Sequence, residues 1–123
     1  MPDTELGILK MYNKEKAKEL IASYEREFLT GSFSESNIKT DLEMCRTKDN
    51  LSTLGSLGRQ TYELSRKRNW YIETCNEVLD GINRILGLEQ EEINHRSEDT
   101  TFISRCENCK NRVTRMLNIV RNF

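Results

Sequence analysis

Residues 102–120 read FISRCENCKNRVTRMLNIV, and Phe102, Cys106, Cys109, Val113, Met116 and Val120 step by four, three, four, three and four. That spacing is the a/d repeat of a helix that buries one stripe against another helix. A matching stripe lies upstream, where Ile72, Cys75, Leu79, Ile82 and Leu86 step by three, four, three and four. Gly87 is placed to end the upstream helix, and Ser97 or Asp99 to cap the downstream one. The connection, residues 87–99, is acidic and polar apart from Leu88 and Ile93. Two such seams predict an antiparallel helical hairpin over about residues 70–121.

Towards the N-terminus, Ala17, Leu20, Ile21, Tyr24 and Phe28 share one helical face, which Ile8, Leu9 and Tyr12 extend backward. Asp3 or Thr4 is the expected cap, and Thr30 with Gly31 the expected left-handed stop. Residues 31–36, Gly-Ser-Phe-Ser-Glu-Ser, form a short linker that ends in hydroxyl caps. A second helix carries Ile38, Leu42 and Cys45, and a further stripe holds Leu51, Leu54, Leu57, Thr61 and Leu64. Gly55 and Gly58 each cost up to ~1 kcal/mol inside a helix and leave open whether residues 36–68 are one helix or two. With N-terminal helices over about 4–68, the predicted fold is all-α: a single-domain bundle of four or five helices spanning 1–123.

Composition agrees with that fold. Among 123 residues there are one proline and six glycines, too few for the turns of a β-sandwich or barrel. Apolar residues make up 36% and charged residues 32%, with a mean hydropathy of −0.72. The regular apolar spacing nonetheless excludes a disordered chain. A domain of this size buries roughly two-thirds of its unfolded surface, so it needs neither metal nor disulfide to fold. No apolar run approaches the ~20 residues of a membrane span, and no signal-peptide core opens the chain. The four cysteines are therefore expected as reduced thiols in an intracellular protein, cytoplasmic or nuclear.

Cys106-Glu-Asn-Cys109 resembles a metal or redox motif, and Cys75 and His95 are the residues that would complete a zinc site. A hairpin folded about residues 93–94 sets Leu79 opposite Cys109 and Ile82 opposite Cys106, with Cys75 about one turn away. His95 lies eleven residues from Cys106, roughly 16 Å if helical, which is too far for a shared ion. The cysteines fall on the apolar stripes and are expected as core residues, with no metal and no cofactor. No catalytic residue stands out: the single histidine sits among carboxylates, and no phosphate-binding glycine loop or nucleophile elbow is present. The chain is not expected to be an enzyme.

Charge is polarised although nearly balanced, with 19 basic against 20 acidic residues. Residues 59–68 carry net plus three, residues 101–123 net plus four, and residues 73–99 net minus six. Within the first cluster, Arg66, Lys67 and Arg68 adjoin Trp70, the only tryptophan, and Tyr71. Trp, Tyr and Arg are the residues most enriched at interface hot spots. These five are the expected partner-binding residues at a helix junction, with Trp70 either a core plug or an exposed anchor. The expected function is a non-catalytic protein–protein interaction module, a small adaptor or accessory regulatory protein of cellular or viral origin.

The alternative is a nucleic-acid-binding accessory protein that uses Arg59, Arg105, Lys110, Arg112 and Arg115 on basic faces at 59–71 and 105–121. A lesser alternative is a leucine-rich nuclear-export-like segment at 79–88, where Leu79, Ile82, Leu86 and Leu88 have the required spacing. Val78, Ile85, Ile103 and Leu117 flank the two seams and widen them. A homodimer is expected if the N-terminal helices leave those flanks uncovered.

Overall fold

Asn13 opens the first helix: its side-chain oxygen accepts from the backbone N–H groups of Glu15 (2.9 Å) and Lys16 (3.2 Å). The computed structural model describes residues 13–54, 62–96 and 101–123. Four helices account for nearly all of them: α1 Lys14–Leu29, α2 Glu35–Leu54, α3 Glu63–Arg96 and α4 Thr101–Arg121. No strand occurs among the described residues. The expected caps Asp3 and Thr4, the apolar Ile8, Leu9 and Tyr12, and Gly55 and Gly58 lie outside them. Among the described residues no helix is long and apolar enough to cross a membrane.

Residues of all four helices meet in one core. On α4 the buried set is Phe102, Cys106, Cys109, Val113, Met116 and Val120, each at most 2% exposed, with Leu117 beside them. On α1 the buried face is Ala17, Ile21 and Phe28, while Leu20 lies at its edge and is exposed. On α2 it is Ile38, Leu42 and Cys45, but Leu51, expected on a buried stripe, is 62% exposed.

The stripe of α3 is displaced from the expected one. Tyr71, Cys75, Val78, Ile82, Ile85 and Glu89 are buried, whereas Ile72, Leu79 and Leu86 pack from a half-buried shoulder. The helix packs against α4, α2 and α1 together, so its buried face is wider than a two-helix seam and is centred elsewhere. Of the four residues flanking the seams, Val78, Ile85 and Leu117 are buried within the chain itself and Ile103 is half-buried.

Two glycines behave differently from expectation, and a third fits α1 against α3. Gly31 does not take the left-handed backbone; a Cβ there would stand 2.9 Å from the Glu27 Cα, so the position needs the absence of a side chain. The last carbonyls of α1 are instead met by backbone N–H groups of the linker, with Gly31 donating to Arg26 O (2.9 Å) and Phe33 to Glu27 O (2.9 Å). Gly87 does not end α3, which runs on to Arg96. Beyond it the continued helix carries Glu89, 1% exposed, to within 3.4 Å of Lys14 Nζ on α1. Gly81 lets α1 approach, since a Cβ there would be 3.3 Å from the Tyr24 hydroxyl.

Two further caps seat the ends. Ser34 begins α2, its carbonyl accepting from Ile38 N–H (2.9 Å) and its hydroxyl from Asn37 N–H (3.4 Å). Asp49, near the end of α2, accepts from Glu63 N–H (2.8 Å) and Leu64 N–H (3.1 Å), so a carboxylate from one helix closes the N-terminus of the next. The described residues of 36–68 thus fall in two helices, one to Leu54 and one from Glu63, and these bonds tie them together.

Candidate functional site

Residues 66–71 lie within α3, in its first turns, and not at a junction between helices. Tyr71 is 4% exposed and belongs to the core; its hydroxyl donates to Asp41 Oδ2 at 2.6 Å. Burial, and then that hydrogen bond, push its pKa well above the ordinary value. As an interface residue Tyr71 is corrected to a support: a side chain this enclosed has almost no surface to present. Trp70, one position earlier, is 49% exposed.

Trp70 is neither plug nor free anchor. Its ring stacks on Phe33 from the linker (5.7 Å, 27°) and meets the Tyr71 edge (5.1 Å, 63°). Phe33 in turn stacks on the buried Phe28 (5.1 Å) and meets Tyr71 at 90°. A continuous run of aromatic rings thus leads from the core to the surface and ends on Trp70. The Lys67 ammonium lies 5.3 Å from the Trp70 ring centre and 3.5 Å from Asp41. Arg66 extends into solvent, its side chain 76% exposed with Glu63 at 3.7 Å. Arg68 makes no ion pair among the described residues.

Phe33 and Asp41 are the site residues that the sequence reading missed. Phe33 carried a signal: it is the one large apolar side chain in a Gly/Ser linker, where nothing local requires it.

The basic face of α4 is partly consumed. Arg105 forms a two-pronged pair with Glu25 on α1, Nη2 to Oε1 at 2.7 Å and Nε to Oε2 at 3.2 Å. Arg115 reaches Glu35 at 3.1 Å. Of the expected nucleic-acid contacts, Lys110 and Arg112 make no ion pair among the described residues, and Arg59 lies outside them. The 79–88 segment is engaged in packing: Ile82 is fully buried and Leu79 and Leu86 are packed against the core.

All four cysteines are buried free thiols. Burial pushes Cys75, Cys106 and Cys109 up to about 11, with Glu89 adding to the effect at Cys106. Residues 93–94, where the chain was expected to turn back, lie inside α3, which runs to Arg96, and α4 begins only at Thr101. Among the described residues no three His, Cys, Asp or Glu side chains are grouped to hold a metal ion.

No protein-family model, curated protein or solved structure matches the chain.

Proposed function

We propose that the chain is a non-catalytic interaction module, a small adaptor or accessory regulatory protein, that binds another protein through Trp70, Arg66 and Arg68. Its framework, in this proposal, is a four-helix bundle in which α3 and α4 pair as an antiparallel hairpin with heptad-spaced seams. The four-residue separation of α3 from α4 and their buried stripes support that arrangement.

The observation that carries the functional reading is the state of Trp70: half its surface faces solvent while Phe33, Tyr71 and Lys67 hold its ring in place. An aromatic anchor oriented before contact loses little rotamer freedom on binding, and arginines beside it add directional pairing. The nucleic-acid reading is weaker because Arg105 and Arg115 are already matched to carboxylates.

The test is capture of partners by immobilised protein, with and without nuclease and across a salt series. Trp70→Ala is expected to weaken protein capture by more than ~2 kcal/mol. Its fold should persist, at a cost of about 1–2 kcal/mol for a half-buried ring. The joint reversal Arg66→Glu/Arg68→Glu should also reduce capture. Release of every captured species by nuclease would transfer the function to nucleic acid, and capture indifferent to Trp70→Ala would remove the corner from the interface.

A further inference from the structure

The outer face of α2 carries a second apolar stripe. Thr40, Met44, Thr47 and Leu51 are all exposed and step by four, three and four, on the side of the helix opposite Ile38, Leu42 and Cys45. Met44 is 56% and Leu51 62% exposed. Thr40, Met44 and Thr47 line a shallow, mostly apolar groove together with Lys39, Glu43, Lys48 and Phe123. A helix with one apolar face in the core and another facing water is built for two contacts, of which the fold supplies one.

The charges beside the stripe specify the second. With Thr40 and Thr47 at d positions and Met44 and Leu51 at a positions, Glu43 falls at g and Lys48 at the following e. In a parallel pair of helices, g of one copy faces e five residues later on the other, and a twofold axis repeats the contact. Glu43 of each copy then meets Lys48 of the other. An antiparallel pair brings e against e and g against g, so Glu43 would meet Asn50, and Lys48 would meet Asp41, a carboxylate already held within its own chain by the Tyr71 hydroxyl at 2.6 Å and the Lys67 ammonium at 3.5 Å. Within the chain Lys48 makes no ion pair among the described residues, and Glu43 has only an exposed contact to Arg46 at 3.4 Å.

We propose that the outer face of α2 is a self-association seam, on which two copies pair in parallel through Thr40, Met44, Thr47 and Leu51 with reciprocal Glu43 and Lys48 contacts. The stripe is about 16 Å long and presents small threonines alternately, so the contact is modest and concentration-dependent, with a dissociation constant of the order of 100 µM. This surface is separate from the Trp70 corner, and each proposal stands or falls alone.

Sedimentation equilibrium of the full chain, from micromolar to about 1 mM, reads the outcome directly. Wild type is expected to form dimers at the upper end, and Met44→Asp to stay monomeric. Glu43→Lys and Lys48→Glu should each weaken association about tenfold by placing like charges together, and the double exchange should recover it to within about twofold. Every substituted position is exposed, so melting temperatures report that the fold is retained. Met44→Cys should form a symmetric intermolecular disulfide under mild oxidant, because parallel pairing sets position 44 beside itself while the native thiols stay buried. A wild-type monomer at 1 mM, a double exchange that fails to recover association, or an association abolished by Trp70→Ala but not by Met44→Asp would overturn the seam.

Discussion

Tyr71→Phe removes a single oxygen and keeps the ring that Phe33 and Trp70 lean on. What is lost is the 2.6 Å hydrogen bond to Asp41 Oδ2, in the range of a hydroxyl donating to a carboxylate. Such bonds contribute about 1.5–3 kcal/mol, more than a neutral pair. The lower end applies here because the Asp41 side chain is 34% exposed and keeps Lys67 at 3.5 Å, so water and that ammonium compensate part of the loss. The expected cost is about 1.5–2 kcal/mol in urea or guanidinium unfolding at pH 7, with an unchanged denaturant slope.

Asp41→Asn combined with Tyr71→Phe should cost less than the sum of the two single changes, since both remove the same bond. Alkaline titration gives a second signature. The native state holds the Tyr71 proton to higher pH than the unfolded chain, whose phenol titrates near 10. Stability from this group is therefore whole below pH 10 and lost as pH rises above it. Tyr71→Phe should flatten that part of the wild-type decline. A cost below about 0.5 kcal/mol together with an unaltered alkaline slope would refute the Tyr71 and Asp41 pairing.

The core makes an unequal prediction along α3 and α4. Val113→Ala and Ile82→Ala, at fully buried sites, should cost about 2 and about 3–4 kcal/mol in denaturant unfolding, and Leu79→Ala on the half-buried shoulder only about 1–2. Leu79 proving costlier than Ile82 would restore the stripe expected from spacing. For the thiols, Cys75, Cys106 and Cys109 should resist a disulfide reagent at pH 8 until the chain is unfolded, when all react. Their protonated, buried state also predicts that stability declines from about pH 9 and through about 11, because the unfolded thiols ionise first. Labelling of native Cys106 at the unfolded rate would place it outside the core.

Periodicity by itself determined the all-helical class, the six seam residues of α4's buried face and the interior place of the cysteines, though not Leu117, which is buried beside that seam. A helix that buries one stripe writes that stripe into its own residue spacing, and α4 is such a helix. The basic cluster and the lone tryptophan were equally plain, being matters of composition. Where α3 ends, which of its faces goes deepest, and what Trp70 does were decided only by tertiary structure. Gly87 reads locally as a stop, yet α3 runs on to Arg96, and Glu89 beyond the glycine meets Lys14, seventy-five residues away along the chain. Ile72 and Leu79 follow a two-helix spacing, but contacts from α1 and α2 draw Tyr71 and Val78 inward instead. Phe33 and Asp41 come to Trp70 and Tyr71 from thirty or more residues upstream, and no local pattern records such a meeting. Local spacing encodes which residues leave water; which neighbours receive them is settled when four helices compete for the same core.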